Sequence, residues 1–171
     1  MGGSPFLYSC SSEQEVAEGI ISKDMVDLLE EIAEAILPAT KDLPGAKEAG
    51  VGKYVNHIVS DFYTYPEQQV FMQGLEKFKM DNFPSLSLDE KNQYLFKIES
   101  ESRNLPRGIF SEEDGGIVTT NHPYRMLKQL VLNGYIYSEV VAKKGFKYLP
   151  LSEKFVGCMD VTEETRPMYH V

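Results

Sequence analysis

The sequence predicts a mainly α protein, a compact bundle of about five helices with an irregular, aromatic-rich C-terminal extension. Three observations predict this fold class. Apolar residues recur at helical spacing in several stretches, proline and glycine elbows separate those stretches, and no stretch shows the alternation of a half-buried strand. With 171 residues, 42% of them hydrophobic and 25% charged, the chain has the size and composition of one globular domain.

The first predicted helix spans about residues 23–37. Ser22 is a candidate N-cap, and Pro38 ends the helix because its ring clashes with the preceding turn and it lacks a backbone N–H. Four apolar residues recur at helical spacing, namely Met25, Leu29, Ile32 and Ile36. Acidic residues occupy the opposite side and predict a solvated face there: Asp24, Asp27, Glu30, Glu31 and Glu34.

An elbow at residues 38–50 connects the first helix to the second. Pro38 and Pro44 fix two φ angles and reduce the conformational entropy that is lost on folding, and the two glycines of this segment allow the chain to reverse closely. We interpret the elbow as an element of shape that sets the angle between two helices. A ligand role for Lys41 or Asp42 is the less favoured reading.

Further helices are predicted along the rest of the chain. They cover about residues 52–62, a stretch that begins at the cap Thr64, a stretch that begins at Ser87, residues 123–133 and a short segment at 138–143. Ser87 and Glu90 form a capping box, in which each side chain satisfies a backbone donor of the other residue. Gly134 is expected to stop the fifth helix. Residues 101–121 are predicted to form a long loop.

The N-terminal residues are predicted to lie outside the domain. Residues 1–21 are a flexible tail, and residues 22–171 form a single helical domain. The first ten residues, MGGSPFLYSC, resemble the end of a bacterial lipoprotein signal, so Cys10 is a candidate lipidation site. The alternative is a tail with an incidental cysteine. No run of about 18 apolar residues exists, so contact with a membrane is predicted only through a lipid on Cys10.

The composition argues against several classes of function. The net charge is −9 and the pI is about 4.9, whereas nucleic-acid binding needs clustered lysine and arginine. Two cysteines lie near opposite ends and three histidines are scattered, so no metal site is predicted. Glycine-rich phosphate motifs and the nucleophile motif G-x-S-x-G are also missing from the sequence.

The residues alone predict no catalytic or cofactor-binding site. No glutamate stands three residues before a histidine, as the di-iron bundles require. His122 precedes Pro123 at a helix start and is interpreted as a capping-region residue, and His57 as a surface or core-edge residue. A nucleophilic pair of Cys158 with a histidine would depend on a geometry that the sequence does not supply.

Several blocks of the sequence resemble one known family. They are IAEAILPAT, LPGAKEAGVGKYV and DFYT, then LKQLVLNGYIYSEV and FKYLPLSEKFVGC, with an aromatic third helix between the two groups. In this order they resemble the small subunit, subunit three, of gluconate 2-dehydrogenase. The resemblance covers about residues 25–160, and residues 85–121 match only in pattern.

The resemblance implies a non-catalytic accessory subunit. Members of the family are partners of a large flavoprotein of the glucose–methanol–choline (GMC) oxidoreductase type, which binds FAD and oxidises a sugar or sugar acid, and a cytochrome c subunit commonly takes the electrons. The resemblance therefore implies no cofactor in this chain and FAD in the partner. Family precursors often carry a twin-arginine export signal and are thought to escort the flavoprotein, although this chain lacks the twin arginines. A periplasmic location, or one anchored on the outer side of the inner membrane, follows from the resemblance.

Two other classes stay open at this point. The chain could be a free-standing surface lipoprotein that binds carbohydrate or another protein. It could also be an independent enzyme whose site the sequence does not reveal. The identity of the sugar does not follow from the sequence, since substrate choice would belong to the large subunit.

The C-terminal aromatic residues predict the surface that binds the partner. Five of the ten tyrosines lie from Tyr124 onward, and tyrosine suits interfaces because a rigid apolar ring carries a polar tip. The predicted interface residues within 135–158 are Tyr135, Tyr137, Phe146, Tyr148 and Cys158. The alternative is that these rings close the domain's own core.

Three states are open for Cys158. In an exported protein it could form a disulfide bridge to another subunit, remain an inert buried thiol, or bond to Cys10.

Overall fold

The computed structural model of the chain describes residues 20–105, 109–111, 116–118, 122–148, 158, 160, 162 and 168–169. This described part contains six α-helices and one 3-10 turn, Phe83–Ser85. The helices are α1 (Lys23–Ile36), α2 (Val51–Phe62), α3 (Tyr65–Met80), α4 (Leu88–Arg103), α5 (Pro123–Ile136) and α6 (Glu139–Gly145). The predicted mainly α fold class is confirmed.

Two pairs of very short strands accompany the helices. Strands β1 (Ile109–Ser111) and β2 (Gly116–Val118) pair antiparallel. Strands β3 (Lys147–Tyr148) and β4 (Met168–Tyr169) pair in parallel. The first pair differs from the long loop predicted at 101–121, because β-branched and aromatic residues there favour strands on either side of an Asp-Gly sequence. Most of the predicted irregular C-terminal extension lies outside the described residues.

Most helix ends follow the predicted signals, although α4 extends to Arg103 within the predicted loop and α6 extends to Gly145. The Glu90 carboxylate accepts the Ser87 backbone N–H at 2.8 Å and the Ser87 hydroxyl accepts the Glu90 N–H, which completes the capping box. Ser22 occupies the N-cap of α1, although its side chain forms no capping bond. The predicted stop at Gly134 is wrong, because α5 continues to Ile136.

Helix α5 lies at the centre of the bundle. It packs against α1, α2, α3, α4 and α6. The largest fully buried apolar side chains belong to α1, α2, α3, the 3-10 turn and α5 itself: Leu29, Ile32, Val51, Val55, Val59, Phe71, Leu75, Phe83 and Val131. Ile21, the last residue of the predicted tail, also lies in this core with 3% of its surface exposed. The division at residues 1–21 and 22–171 stays a prediction.

Two glycines allow the neighbouring helices to approach α5 closely. A Cβ atom on Gly74 of α3 would lie 2.2 Å from Cβ of Pro123, the first residue of α5. A Cβ atom on Gly134 would lie 2.6 Å from Cδ1 of Tyr54 in α2. A glycine contact therefore holds α5 near each of its ends, which explains why Gly134 is kept inside a helix despite its low helical propensity.

A cluster of rings closes the corner between α3 and α4. The centroids of Phe78, Phe83 and Tyr94 lie 5.3–5.5 Å apart. The Tyr94 hydroxyl donates to the carboxylate of Asp81, and burial, together with this carboxylate, raises the pKa of Tyr94. This corner is formed by the end of α3, the 3-10 turn and α4.

Candidate interaction surface

The C-terminal part of α5 carries apolar side chains on its outer side. Leu132 and Ile136 lie one helical turn apart on one face, and 37% and 49% of their surfaces are exposed. Tyr137, the C-cap residue, is 72% exposed. We call Leu132, Ile136 and Tyr137 the α5 stripe. The opposite face of α5 is buried, and this stripe leaves apolar surface of the same helix in solvent.

A cleft of about 710 Å³ runs beside the stripe. Tyr63 and Glu67 line one side, Leu132 lies on α5, and the end of α4 forms the other side. Three of its charged groups bind one another. The Glu99 carboxylate accepts from Nζ of Lys128 at 2.7 Å and from Nε of Arg103 at 3.3 Å, and the Lys128 ammonium is the main cause that lowers the pKa of Glu99.

Arg125 connects the same cleft to the end of α4. Its guanidinium donates to the carbonyl oxygens of Ser102 and Leu105. Ser102 lies in the last turn of α4, whose carbonyls have no partner within the helix itself, and Leu105 follows the C-cap residue Asn104. Arg125 and the ion pair of Lys128 with Glu99 therefore connect α5 to α4 along this cleft.

The predicted interface tyrosines separate into two kinds. Tyr137 is exposed and belongs to the α5 stripe. Tyr135 is half-buried, and its hydroxyl donates to the carbonyl oxygen of Pro44 at 2.7 Å. Burial raises the pKa of Tyr135, with further contributions from Glu34 and Glu48. The structure thus places Tyr135 in the chain's own packing, which is the alternative that the sequence left open.

The other predicted residues are less completely described. Phe146 is half-buried at the C-cap of α6. Tyr148 lies in β3, and its side chain is outside the described residues, as is Cys10, the candidate lipidation site. Cys158 is a free, exposed thiol, so the expectation of a buried thiol is wrong. A disulfide bridge from Cys158 to another subunit stays a prediction.

The elbow, residues 38–50, is built around a carboxylate from α1. Glu34 accepts the backbone N–H of Ala39 at 3.1 Å and that of Lys47 at 2.9 Å. A Cβ atom on Gly45 would lie 2.1 Å from Oε1 of Glu34. The prediction of a solvated acidic face is therefore wrong at Glu34, because that carboxylate binds two backbone donors of the following turn.

One sequence signal points to this role of Glu34. The residue lies in the last turn of α1, where the helix dipole disfavours a negative charge. An acidic residue at that position suggests that other donors stabilise it. Its neighbours Asp24 and Asp27 are exposed as predicted, while Glu30 and Glu31 are half-buried.

The elbow also contacts α6. Nζ of Lys144 lies 3.1 Å from the Glu48 carboxylate, and Leu43 packs beside Gly145, where a Cβ atom would lie 3.0 Å from Cδ2 of Leu43. Lys41, which the sequence weighed as a ligand, is exposed, like Asp42. These contacts support the interpretation of the elbow as an element of shape.

The two described histidines lie at a helix cap and on the surface of a helix. Nδ1 of His122 accepts the backbone N–H of Tyr124 at 3.3 Å and caps α5. Burial lowers the pKa of His122, and Arg125 and Lys77 lower it further. His57 is exposed beside Asp61, with 2.8 Å between Nδ1 and the carboxylate. Both positions agree with the roles that the sequence predicts for them.

The described residues contain neither a metal-binding cluster nor a membrane-spanning helix. Among them, no cluster of three or more histidine, cysteine, aspartate or glutamate side chains is placed to hold a metal ion. None of the described helices combines the length and the apolar character that crossing a bilayer requires.

Comparison with known proteins gives one match. A family model described as gluconate 2-dehydrogenase subunit 3 matches residues 23–152, which is more than half of the chain. No curated protein and no solved structure matches it. The matched range contains all six described helices, the elbow and the α5 stripe.

Proposed function

Because the chain belongs to the gluconate 2-dehydrogenase subunit 3 family, we propose that it is the non-catalytic small subunit of an FAD-dependent sugar or sugar-acid dehydrogenase. Membership in this family implies a dehydrogenase complex with other subunits. In the proposal the partner is a large flavoprotein of the GMC type, and this chain binds it through the α5 stripe.

The α5 stripe is the observation that supports this binding mode. Partner-binding surfaces concentrate their free energy in a few apolar and aromatic side chains near the centre of the contact. Ile136 and Tyr137 are adjacent residues, each about half exposed or more. A partner that covered them would bury apolar surface and an amphipathic ring, a combination that is enriched at interfaces.

The proposal divides the chemistry between subunits. FAD and the oxidation of the sugar belong to the large chain, and a cytochrome c subunit accepts the electrons. The small chain holds the flavoprotein, and in an exported complex it escorts that subunit. The leader-like residues that end at Cys10 support a periplasmic complex, or one anchored by lipid on the outer side of the inner membrane.

Co-expression with a large flavoprotein of the GMC type, the proposed partner, tests the proposal. We expect the double variant Ile136→Ala/Tyr137→Ala to weaken co-purification, with a dissociation constant raised about tenfold or more. Met80→Ala is the matched control. Met80 is 77% exposed and lies at the end of α3 beyond Gly74, the residue that approaches Pro123 at the end of α5 opposite the stripe.

Three results would contradict the proposal. The first is a complex that the double variant leaves unchanged. The second is oxidation of a sugar by the purified chain with an artificial acceptor and no flavoprotein. The third is calorimetric binding of carbohydrate by the chain alone, which would favour the free-standing lipoprotein instead.

A further inference from the structure

We infer that the elbow presets the partner-binding surface, and that Tyr135 and Glu34 are the positioning residues through which it does so. The inference rests on the proposed function of the α5 stripe. Neither residue belongs to the stripe itself. Both act on the last turn of α5 through the backbone of the elbow.

The location of the stripe creates the need for such support. Ile136 is the last residue of α5 and Tyr137 is its C-cap. The carbonyl oxygens of Asn133 and Tyr135 accept from the backbone N–H groups of Tyr137 and Ser138, but the ends of helices still open at a low free-energy cost. An exposed apolar surface on such an end would sample many arrangements before a partner bound it.

Tyr135 anchors this turn to the elbow through a hydrogen bond. Its hydroxyl donates to the carbonyl oxygen of Pro44 at 2.7 Å, and Pro44 is buried. Tyr135 is adjacent to Ile136 and two residues from Tyr137. The bond therefore ties the turn that carries the stripe to a part of the chain that lies 91 residues earlier.

Glu34 makes the elbow rigid enough to anchor this turn. Its two carboxylate oxygens accept from the backbone N–H groups of Ala39 and Lys47, which lie on either side of Pro44. The backbone N–H of Ala46 also donates to the carbonyl oxygen of Leu37 at 2.9 Å. Because the elbow is clamped at both sides, the carbonyl of Pro44 has a defined position.

Preorganisation connects these contacts to partner binding. A surface that is already ordered avoids the entropy cost of immobilising its side chains on association. We therefore assign to the elbow a contribution to affinity that does not come from direct contact with the partner.

Tyr135→Phe tests the inference, with Tyr94→Phe as the matched control. Each variant keeps its ring and removes one hydroxyl bond, to Pro44 or to Asp81. We expect Tyr135→Phe to raise the dissociation constant for the immobilised GMC-type flavoprotein about threefold to tenfold. In the free chain, amide hydrogen exchange at residues 136–138 should accelerate by a similar factor. Tyr94→Phe should change neither quantity.

Glu34→Gln provides an independent second variant. A carboxamide has only one acceptor oxygen, so one of the two backbone donors loses its partner. The same increases in exchange at residues 136–138 and in the dissociation constant are expected. Both variants should keep their far-ultraviolet circular dichroism.

The outcomes separate the inference from the proposed function. If Ile136→Ala/Tyr137→Ala weakens the complex while Tyr135→Phe changes neither exchange nor affinity, the stripe binds the partner and the inference is wrong. If the double variant leaves the complex unchanged, the proposed function fails. Equal effects of Tyr135→Phe and Tyr94→Phe on affinity would also overturn the inference, because they would indicate a general loss of stability.

Discussion

The two ends of α5 are held in different ways. At the N-terminal end, His122 caps the helix, Pro123 lies against Gly74, and Arg125 binds the end of α4. At the C-terminal end, Tyr135 binds the elbow while the neighbouring Ile136 and Tyr137 remain exposed. The contacts at the first end serve the fold. The second end combines internal contacts with a surface left for a partner, so substitutions at the two ends should have different readouts.

The largest expected effect is on stability at the N-terminal end. Gly74→Val would place a branched side chain against Pro123, where even a Cβ atom would lie 2.2 Å from the ring. We expect the free energy of unfolding to fall by about 3 kcal/mol, as measured by urea denaturation. Gln73→Val is the control, because Gln73 is exposed on the same helix. If Gly74→Val were as stable as this control, the close contact of Gly74 with Pro123 would not limit how α3 packs on α5.

A smaller effect is expected at the C-terminal end. Gly134→Ala would place its Cβ atom 2.6 Å from the Tyr54 ring. Since the ring can turn and alanine favours the helix, a net loss of about 1 to 2 kcal/mol is expected. The comparison of affinity is made at a denaturant concentration at which both variants remain folded. There, Gly134→Ala should bind the flavoprotein less tightly than the wild type does, whereas Gly74→Val should not.

A double-mutant cycle sharpens this second prediction. Tyr54→Ala removes the ring that Gly134→Ala meets, so the two substitutions together should cost less than the sum of their separate costs. Additive costs in urea denaturation would mean that the ring is not the obstacle.

The third prediction concerns the pH dependence of the N-terminal end. Burial lowers the pKa of His122 below its ordinary value of 6.5, so the unfolded chain takes up a proton more readily than the folded chain. The contribution of neutral His122 is complete above pH 6.5 and is lost as the pH falls through the lowered pKa. His122→Asn keeps a capping acceptor that does not titrate, so the wild type should lose more stability than this variant between pH 7 and pH 5.

The capping contribution itself can be measured at pH 7. There, His122→Ala should cost about 1 kcal/mol and His122→Asn much less. If the free energy of unfolding changed with pH by the same amount in the wild type and in His122→Asn, the cap would not titrate between pH 7 and pH 5.

The smallest effect is expected from the contact between the elbow and α6. Nζ of Lys144 lies 3.1 Å from the carboxylate of Glu48, and both side chains are more than half exposed. Solvent screens the attraction between such exposed charges. Lys144→Ala should therefore lower the free energy of unfolding by less than about 0.5 kcal/mol, with little change in affinity for the flavoprotein. A tenfold loss of affinity would instead place Lys144 in the partner contact.

Local signals in the sequence predict most of the fold. The capping box at Ser87 and the apolar spacing of α1 depend on residues within four or so positions of one another, so they can be recognised without the structure. Gly134 misleads, because a glycine stops a helix in isolation but here allows the approach of Tyr54 from another helix.

The candidate surface could be predicted only in part. The aromatic content of residues 135–158 indicates an interface, but the sequence does not distinguish Tyr135 from Tyr137. Their difference depends on Pro44, which lies 91 residues from Tyr135. The role of Glu34 likewise depends on a turn that folds back onto it, and sequence spacing alone does not encode that contact.

The central position of α5 has a consequence for synthesis of the protein. The helix that contacts α1, α2, α3 and α4 is the last long helix among the described elements to leave the ribosome. Until residue 136 has been made, the apolar faces of the first four helices have no common partner, and such intermediates aggregate readily. A nascent chain of this kind would depend on chaperones until its final third emerges.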